Sequence, residues 1–368
     1  MAESHLGGRG TLRTGACISG YVLSEIGLGQ AARNLGLAFE AAGIETTYVN
    51  LPSEGRQNAL EFSGRTSPVN DQRTTIHVLP VAGLQRRAIE PVPGRKNILY
   101  PFWELEEIPR PWLRNIGRFD AIWAPSKFIA DAFRRATSLP VIHVPLPMPI
   151  PDPAGKPDSV VGKFVVLTYL DVDSHVQRKN PTGAVNAFLS AFSPVPRGVE
   201  LWVKLRGTRD DGIRRSFQAL MQKIPQVKII DETVSRTAMD QLLQQCDVLL
   251  SLHRSEGFGL GAAEALILEK AVVATDYSGT RDFINNETGY PVTYDITSIV
   301  TGEYVAGTEG MKWADPSLDD AAAKLRLAYS DQSLRRDRGQ AGRQLMERQH
   351  APAVVGRQIA ALLRELWS

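Results

Sequence analysis

The chain has 368 residues, 43% of them hydrophobic, so it is long enough for two domains of ordinary size, each with its own core. A formal charge of +2, with basic residues interspersed among acidic ones, gives no sign of a nucleic-acid partner. The two cysteines lie in apolar runs, and no run reaches the roughly 20 apolar residues of a membrane span, so we expect a cytoplasmic protein with reduced thiols.

Short apolar runs alternate with helical segments in the first half, which predicts a parallel α/β domain. The first run, GACISGYV, is followed by Gly27 and Gly29 in a G-x-G-x-x-A spacing and by helical periodicity over residues 30–42. Glycines between a strand and a helix let backbone N–H groups approach an anion. A dinucleotide site would also need an acid after the second strand, TTYVNL, where Asn50 stands. A tight turn without a ligand stays open as the alternative.

A change of composition divides the chain. The proline-rich stretch PMPIPDPAGKPDS, residues 147–159, continues neither a helix nor a strand and predicts an interdomain linker. Alternating strands and helices resume after it, so we assign residues 1–152 and 153–351 to two doubly wound domains. The segment 352–368 carries one apolar helical face and is expected to pack on the first domain.

The most informative stretch is DVLLSLHRSEGFGLGAAEALILEKAVVATDYSGTRDF. Glu256 and Glu264 follow a predicted buried strand and have seven residues between them, three of which are the glycines Gly257, Gly259 and Gly261. Such glycines let a ligand approach the backbone, whereas carboxylates accept hydrogen bonds from paired hydroxyls and would repel a bare phosphate. Carboxylates beside a glycine-rich loop that can bind an anion therefore predict a ligand that has both a diphosphate and polyhydroxylated rings. A sugar nucleotide is a ligand of this kind.

The pattern E-G-F-G-L-x-x-x-E-A resembles the signature of the family 4 retaining glycosyltransferases. The fold of that family is GT-B, an α/β architecture in which two Rossmann-like domains face each other across a cleft and a C-terminal helix crosses back to the first domain. Arg178-Lys179-Asn180-Pro181 and Tyr277-Ser278-Gly279 also fit the family. The segments WELEEIP, WAPSKF, SLHRSEGFG and WADPS resemble a bacterial subgroup that builds O-antigen and exopolysaccharide, and several of its members use GDP-mannose.

The resemblance implies a role for each matching residue. Glu256 is expected to bind the donor sugar, and Glu264 the ribose. Arg178 and Lys179 are expected to neutralise the diphosphate as the glycosidic bond breaks. The remaining donor-binding residues are Gly27 and Gly29 from the first domain, and Phe258, Gly259 and Leu260 from the second. The family needs no metal or other cofactor, and the sequence has no clustered Asp-x-Asp motif for one.

The sequence departs from the family at two places. The usual arginine about six residues before the lysine is replaced by Asp173, so the second cation is either Arg178 or Lys204. The usual histidine of the first domain is missing from NILYPFWELEE, so we assign Trp103 or Glu104 to that space on the acceptor side. His253 is a donor-site candidate, with a structural histidine as the alternative. Lys204 is either ion-paired or a phosphate ligand, because an unpaired buried ammonium is costly.

The function implied is transfer of a hexose, with mannose from GDP-mannose as the leading donor, to a bacterial surface glycan or a polyprenyl-linked oligosaccharide. GDP-rhamnose and UDP-sugars are alternative donors. An epimerase, a phosphorylase, an NAD-dependent dehydrogenase and a non-catalytic sugar-nucleotide-binding partner are alternative classes. Arg110, Arg114 and Arg118 recur at helical spacing and leave open a peripheral contact with anionic lipid headgroups or an acceptor diphosphate; a solvated helix face is the other explanation.

Overall fold

A computed structural model describes residues 12–368 except 54–59, 69, 87–93, 153–159, 161, 208–210 and 233. Two parallel sheets of six strands each organise these residues. The strands of the first sheet are β1 (Arg13–Gly20), β2 (Thr46–Asn50), β3 (Gln72–Pro80), β4 (Lys96–Phe102), β5 (Ala121–Ala124) and β6 (Val141–His143). Those of the second are β7 (Phe164–Asp171), β8 (Val199–Arg206), β9 (Val227–Asp231), β10 (Val248–Ser251), β11 (Ala271–Thr275) and β12 (Tyr290–Val292). Strands β13 (Tyr294–Ser298) and β14 (Lys312–Pro316) form a separate antiparallel pair.

Helices cover both sheets. In the first half they are α1 (Gly27–Ala41), α2 (Gly83–Arg86), α3 (Leu113–Ile116) and α4 (Lys127–Ala136). In the second half they are α5 (Val176–Lys179), α6 (Pro181–Ala191), α7 (Asp211–Lys223), α8 (Arg236–Gln245), α9 (Leu260–Ile267), α10 (Leu318–Ser330), α11 (Gln332–His350) and α12 (Pro352–Trp367). None of the helices in the described ranges is both long and apolar enough to cross a membrane.

The strand orders locate the switch points of the two sheets. The first sheet runs β2-β1-β3-β4-β5-β6, so the chain reverses direction across the sheet between β1 and β3. The second runs β12-β11-β10-β7-β8-β9 and reverses between β7 and β10. Ligands of open parallel sheets bind in the crevice beyond the carboxyl ends of the strands at such points. The glycines after β1, the basic pair after β7 and the glutamate loop after β10 therefore all lie where this fold places a ligand.

The last helix, α12, returns to the first sheet. Val355, Ile359 and Leu363 on one face of it are buried, as the apolar periodicity predicts. The Gln358 side chain donates a hydrogen bond to the His143 carbonyl oxygen at 2.7 Å, and Trp367 Nε1 donates to Thr74 Oγ1 at 3.0 Å. The two sheets with this crossing helix confirm the GT-B fold. The domain boundary at 152/153 stays a prediction, because residues 153–159 lie outside the described ranges.

Candidate active site

The predicted basic pair is formed by a short helix and a left-handed turn. Helix α5 ends at Lys179, and Asn180 follows with φ 50° and ψ 52°, a conformation that asparagine adopts more readily than most residues. The Asn180 side chain then caps α6 by accepting a hydrogen bond from Gly183 N at 3.1 Å, and Pro181 occupies the first helical position. The sequence RKNP thus holds Arg178 and Lys179 at the carboxyl edge of the second sheet.

Glu256 binds both of these cations. Its carboxylate accepts a hydrogen bond from Lys179 Nζ and lies 3.1 Å from Arg178 Nη1. Burial alone would raise the pKa of Glu256, but the charges of Lys179 and Arg178 hold it well below its usual range, so the carboxylate is ionised. The Glu256 backbone N–H donates to Ser278 Oγ at 2.8 Å, which fixes the loop beside the YSG segment. The sequence pattern predicted Glu256, Arg178 and Lys179 in one site, and in the structure these three side chains are in contact.

The two cations differ in accessibility. The Arg178 side chain is 8% exposed and donates to the Ser255 carbonyl oxygen at 2.8 Å, whereas the Lys179 side chain is 30% exposed. Burial alone would lower the pKa of Arg178, but Glu256 and Glu104 raise it, so the guanidinium keeps its charge. Lys179 is therefore the cation of the pair that a ligand reaches more easily.

Glu264 lies one helical turn into α9 and is buried. Its carboxylate accepts a hydrogen bond from Arg236 Nη1, and Arg236 Nη2 also lies 2.5 Å from Asp240 Oδ1. Burial raises the pKa of Glu264, and the charge of Arg236 partly offsets this effect. No local pattern indicated Arg236, because it lies 28 residues away at the start of α8.

The N-terminal residues of two helices lie close together at the crevice. Helix α1 begins at Gly27, which is exposed, and helix α9 begins at Leu260; a Cβ atom added to Gly27 would lie 3.9 Å from Leu260 Cδ2. Gly259 caps α9 with φ 91°, which favours glycine. The positive ends of two helix dipoles therefore flank one space, an arrangement suited to an anion.

Gly29 and Phe258 are packed inside the protein. A Cβ atom on Gly29 would lie 2.0 Å from the Ser24 carbonyl oxygen, so the preceding loop itself requires glycine here. The Phe258 ring packs against Phe283, with ring centroids 5.3 Å apart, and is buried. Gly29 therefore supports the loop before α1, and Phe258 supports the loop before α9.

Lys204 and His253 have protein partners. Lys204 Nζ donates to the carbonyl oxygens of Leu205 at 3.1 Å and Glu232 at 3.0 Å, and burial lowers its pKa. His253 Nδ1 pairs with Ser251 Oγ at 3.0 Å, while Nε2 lies 3.3 Å from the Tyr277 carbonyl oxygen; burial lowers the pKa of His253 to about 4. Of the two candidates for the second cation, Arg178 shares Glu256 with Lys179, and Lys204 binds backbone instead.

Trp103 and Glu104 bring the first half of the chain to the cluster. The Trp103 ring is buried, and its Nε1 donates to the Glu107 carbonyl oxygen at 2.9 Å. Glu104 Oε1 lies 3.9 Å from Arg178 Nη2, and Glu104 Oε2 accepts a hydrogen bond from the Tyr304 hydroxyl. Tyr304, like Arg236, is a residue of the site that the sequence did not indicate.

The described residues contain no group of three or more His, Cys, Asp or Glu side chains placed to hold a metal ion. Metal independence of the chemistry stays a prediction.

One protein family is similar in sequence to the part of the chain that carries this cluster. Residues 175–345 match the family of glycosyl transferases group 1. The match includes both basic residues, both glutamates and the strands between them. No protein of curated function matches the chain in sequence.

Solved structures share the fold of the whole chain. HepE of Anabaena, in complex with UDP-glucose, superposes with a TM-score of 0.72 at 13% identity over 96% of this chain and 100% of that one. A glycosyltransferase from Rickettsia africae ESF-5 gives a TM-score of 0.68 at 13% identity over 96% and 99%. The pneumococcal O-GlcNAc transferase GtfA, in complex with UDP and GlcNAc, gives 0.59 at 16% identity over 80% of this chain and 57% of its own. These structures share the two-domain fold of this chain, and the group 1 match is confined to residues 175–345.

Proposed function

We propose that the chain is a retaining, metal-independent hexosyltransferase that uses a sugar nucleotide. The observation that carries the proposal is the buried Glu256 carboxylate held by Arg178 and Lys179 at the switch point of the second sheet. A carboxylate ionised in this setting accepts hydrogen bonds from sugar hydroxyls, and the cations beside it suit a diphosphate. The matched group 1 domain supports the same conclusion.

The proposed reaction uses this charge arrangement as follows. The bond between the sugar C1 and the diphosphate oxygen breaks, the acceptor oxygen bonds to C1 on the same face, and the acceptor proton passes to the departing diphosphate. Negative charge grows on that diphosphate, where Lys179 and the N-termini of α1 and α9 stabilise it. Glu264 binds the ribose and Glu256 binds the sugar hydroxyls.

The donor base and sugar form a separate proposal. The resemblance of the sequence implies GDP-mannose, whereas HepE was solved with UDP-glucose and GtfA with UDP and GlcNAc. We rank UDP-sugars slightly ahead of GDP-mannose and GDP-rhamnose for this reason. Thermal-shift measurements with UDP, GDP and their sugars test the order, because a ligand that binds the folded state raises the melting temperature. A larger shift with GDP reverses our ranking.

Substitution of Glu256 tests the site itself. We expect Glu256→Ala to abolish transfer, because the donor sugar loses a hydrogen-bond acceptor and the cations Arg178 and Lys179 lose the carboxylate that they share. Glu200→Ala is a matched control: Glu200 is also buried and is paired with Lys163 at 3.2 Å and Lys228 at 2.9 Å, but it lies on β8 away from the crevice. Full activity of Glu256→Ala, with Glu200→Ala also active, refutes the assignment.

A non-catalytic sugar-nucleotide-binding partner is the alternative function. It predicts donor binding by calorimetry without turnover, across a panel of glycan acceptors. Nucleotide release that depends on an added acceptor excludes this alternative and also separates transfer from epimerisation.

The acceptor is proposed to be a surface glycan or a polyprenyl-linked oligosaccharide, reached by peripheral contact with the cytoplasmic membrane face. Pro111, Arg114, Asn115 and Arg118 line one surface pocket, which supports an anionic contact there. Co-sedimentation with phosphatidylglycerol vesicles, and not with phosphatidylcholine vesicles, tests this contact. The double variant Arg114→Gln/Arg118→Gln should weaken it, and equal binding to both vesicle types contradicts it.

A further inference from the structure

The antiparallel pair β13–β14 and the loop that joins it, residues 294–316, form a strap that stands apart from both parallel sheets. The pairing runs from Tyr294 opposite Pro316 to Ser298 opposite Lys312. The strap follows the last strand of the second sheet, yet its apolar side chains Ile299, Tyr304 and Trp313 pack into the hydrophobic cluster that contains Trp103 and Trp112 of the first half. One segment of the second half therefore completes a core of the first.

Arg254, which lies two residues before Glu256, anchors the strap beside the active-site loop. Its guanidinium lies 3.2 Å from Asp315 and 3.6 Å from Glu303, and it is stacked 5.4 Å from the Trp313 ring. The Ala314 backbone N–H donates to the Arg254 carbonyl oxygen at 2.9 Å. Backbone, charge and ring contacts thus fix the strap relative to Glu256.

Tyr304 places a hydroxyl inside the charge cluster. Its ring is 8% exposed and packs edge-on against His175, with centroids 4.7 Å apart. Its hydroxyl donates to Glu104 Oε2. Burial, together with the charge of Glu104, raises the pKa of Tyr304 well above its usual value, so the phenol keeps its proton and can donate.

The hydrogen bond between Tyr304 and Glu104 is linked to Glu256 by two further contacts, both of which involve Arg178. Glu104 Oε1 faces Arg178 Nη2 at 3.9 Å, and Arg178 Nη1 lies 3.1 Å from Glu256 Oε2. Ser255 Oγ donates to the Glu104 backbone oxygen, so the second half of the chain holds Glu104 at both ends. Arg178 is shared between two carboxylates, and Lys179 is the more exposed of the two cations on Glu256.

We propose that Tyr304 is a positioning residue of the active site: through Glu104 it centres Arg178 between two carboxylates and so leaves Lys179 available to the donor diphosphate. The proposal rests on the proposed function, and it goes further by giving the strap a role in the reaction. A strap that only joins the two halves would use the hydrogen bond from Tyr304 to Glu104 for stability alone, with no effect on kcat.

Tyr304→Phe separates these roles, because it keeps the ring and removes the hydroxyl. We expect Tyr304→Phe to lower kcat by roughly tenfold or more, because it removes one hydrogen bond to a charged group. We expect the donor KM of this variant to change by less than about threefold. Glu104→Gln should lower kcat similarly, and the double variant should be little worse than either single one, since the two residues act in series.

Tyr48→Phe is the matched control. Tyr48 is also buried and also donates its hydroxyl to a glutamate, Glu40 Oε1 at 3.0 Å, but it lies on β2 away from the charge cluster. We expect it to retain full activity. Unchanged kcat in Tyr304→Phe, with Glu256→Ala inactive in the same assay, overturns the positioning role.

Crystal structures of the wild type and of Tyr304→Phe provide a readout that does not depend on turnover. We expect the Glu104 carboxylate and the Arg178 guanidinium to shift in the variant; both unmoved also overturns the proposal. Absence of transfer by the wild type with every donor and acceptor would instead refute the proposed function, while the two structures would still decide whether Tyr304 positions Arg178.

Discussion

The Ser126 hydroxyl donates a hydrogen bond to the Gly257 carbonyl oxygen at 2.6 Å, and it also accepts one from Ile129 N at 3.2 Å as the cap of α4. One side chain therefore caps a helix of the first half and binds the active-site loop of the second. Lys127 N, next in the chain, donates to Asp282 Oδ2 at 2.8 Å, so the N-terminus of α4 is joined to the second half by two bonds.

Removal of the Ser126 hydroxyl should lower the free energy of unfolding, because it breaks a contact between the two halves. Ser126→Ala loses a cap and leaves a buried carbonyl group without its donor, which together cost about 2–4 kcal/mol. Ser317→Ala, which removes only the cap of α10 at Asp320 N, should cost about 1 kcal/mol. Unfolding in urea, followed by tryptophan fluorescence, measures both. Equal losses would show that the Gly257 contact contributes nothing.

Lys204 is predicted to stabilise the second sheet and not to bind the donor. Lys204→Met keeps the volume but removes both hydrogen bonds to the carbonyl groups of Leu205 and Glu232, at a cost of about 1–3 kcal/mol in the free energy of unfolding. We expect donor affinity, measured by calorimetry on the folded variant, to stay within about threefold of the wild type. A larger loss of affinity would make Lys204 a phosphate ligand after all.

Glu264 and Arg236 should have opposite effects on donor binding. Glu264→Gln removes the charge that our proposal assigns to the ribose, so donor affinity should fall by about tenfold or more. Arg236→Gln frees the Glu264 carboxylate from its present partner, so affinity should be equal or higher. Isothermal titration of the nucleoside diphosphate compares the two. Loss of affinity in Arg236→Gln would instead make Arg236 a ligand in its own right.

Stability should fall as the pH drops from about 6.5 to about 4. Burial lowers the pKa of His77, His253 and His350 to about 4, whereas an unfolded histidine titrates near 6.5. Between these values the unfolded chain binds more protons than the folded one, so each histidine contributes a slope of about 1.4 kcal/mol per pH unit, with stability higher at higher pH. Urea unfolding at pH 7.5, 6 and 5 measures it. His350→Gln should flatten the slope, and an unchanged slope contradicts the assignment.

The parallel α/β class and the charge cluster around Glu256 followed from local patterns. Apolar runs predicted a parallel sheet in each half, although no run indicated β12. The helical segment predicted within residues 352–368 is observed at Pro352–Trp367. The Glu256 cluster was predictable because its members follow two strands that are neighbours at a switch point. Helix starts were less accurate: α1 begins at Gly27, three residues before its apolar periodicity, because Ile26 offers no side-chain cap to mark the start.

The contacts that depend on distant segments were not predictable. The strap does not alternate strictly, and its apolar residues are buried by a core that belongs to the other half of the chain. The partners Arg236 and Tyr304 lie 28 and 200 residues from Glu264 and Glu104, respectively, so nothing in the local sequence indicates them. Gly29 shows the opposite case. The motif assigned this glycine to donor binding, but the preceding loop itself requires glycine, because a Cβ atom would collide with the Ser24 carbonyl oxygen.

The return of α12 to the first sheet also constrains the order of folding during synthesis. The first sheet is translated early, but Trp367 reaches Thr74 only after the residues between them have been synthesised. Until then the apolar surface that α12 covers on α1 stays exposed to other proteins. The first sheet is therefore expected to complete its native packing only after the synthesis of α12, which begins at Pro352, whereas the last strand of the second sheet already ends at Val292.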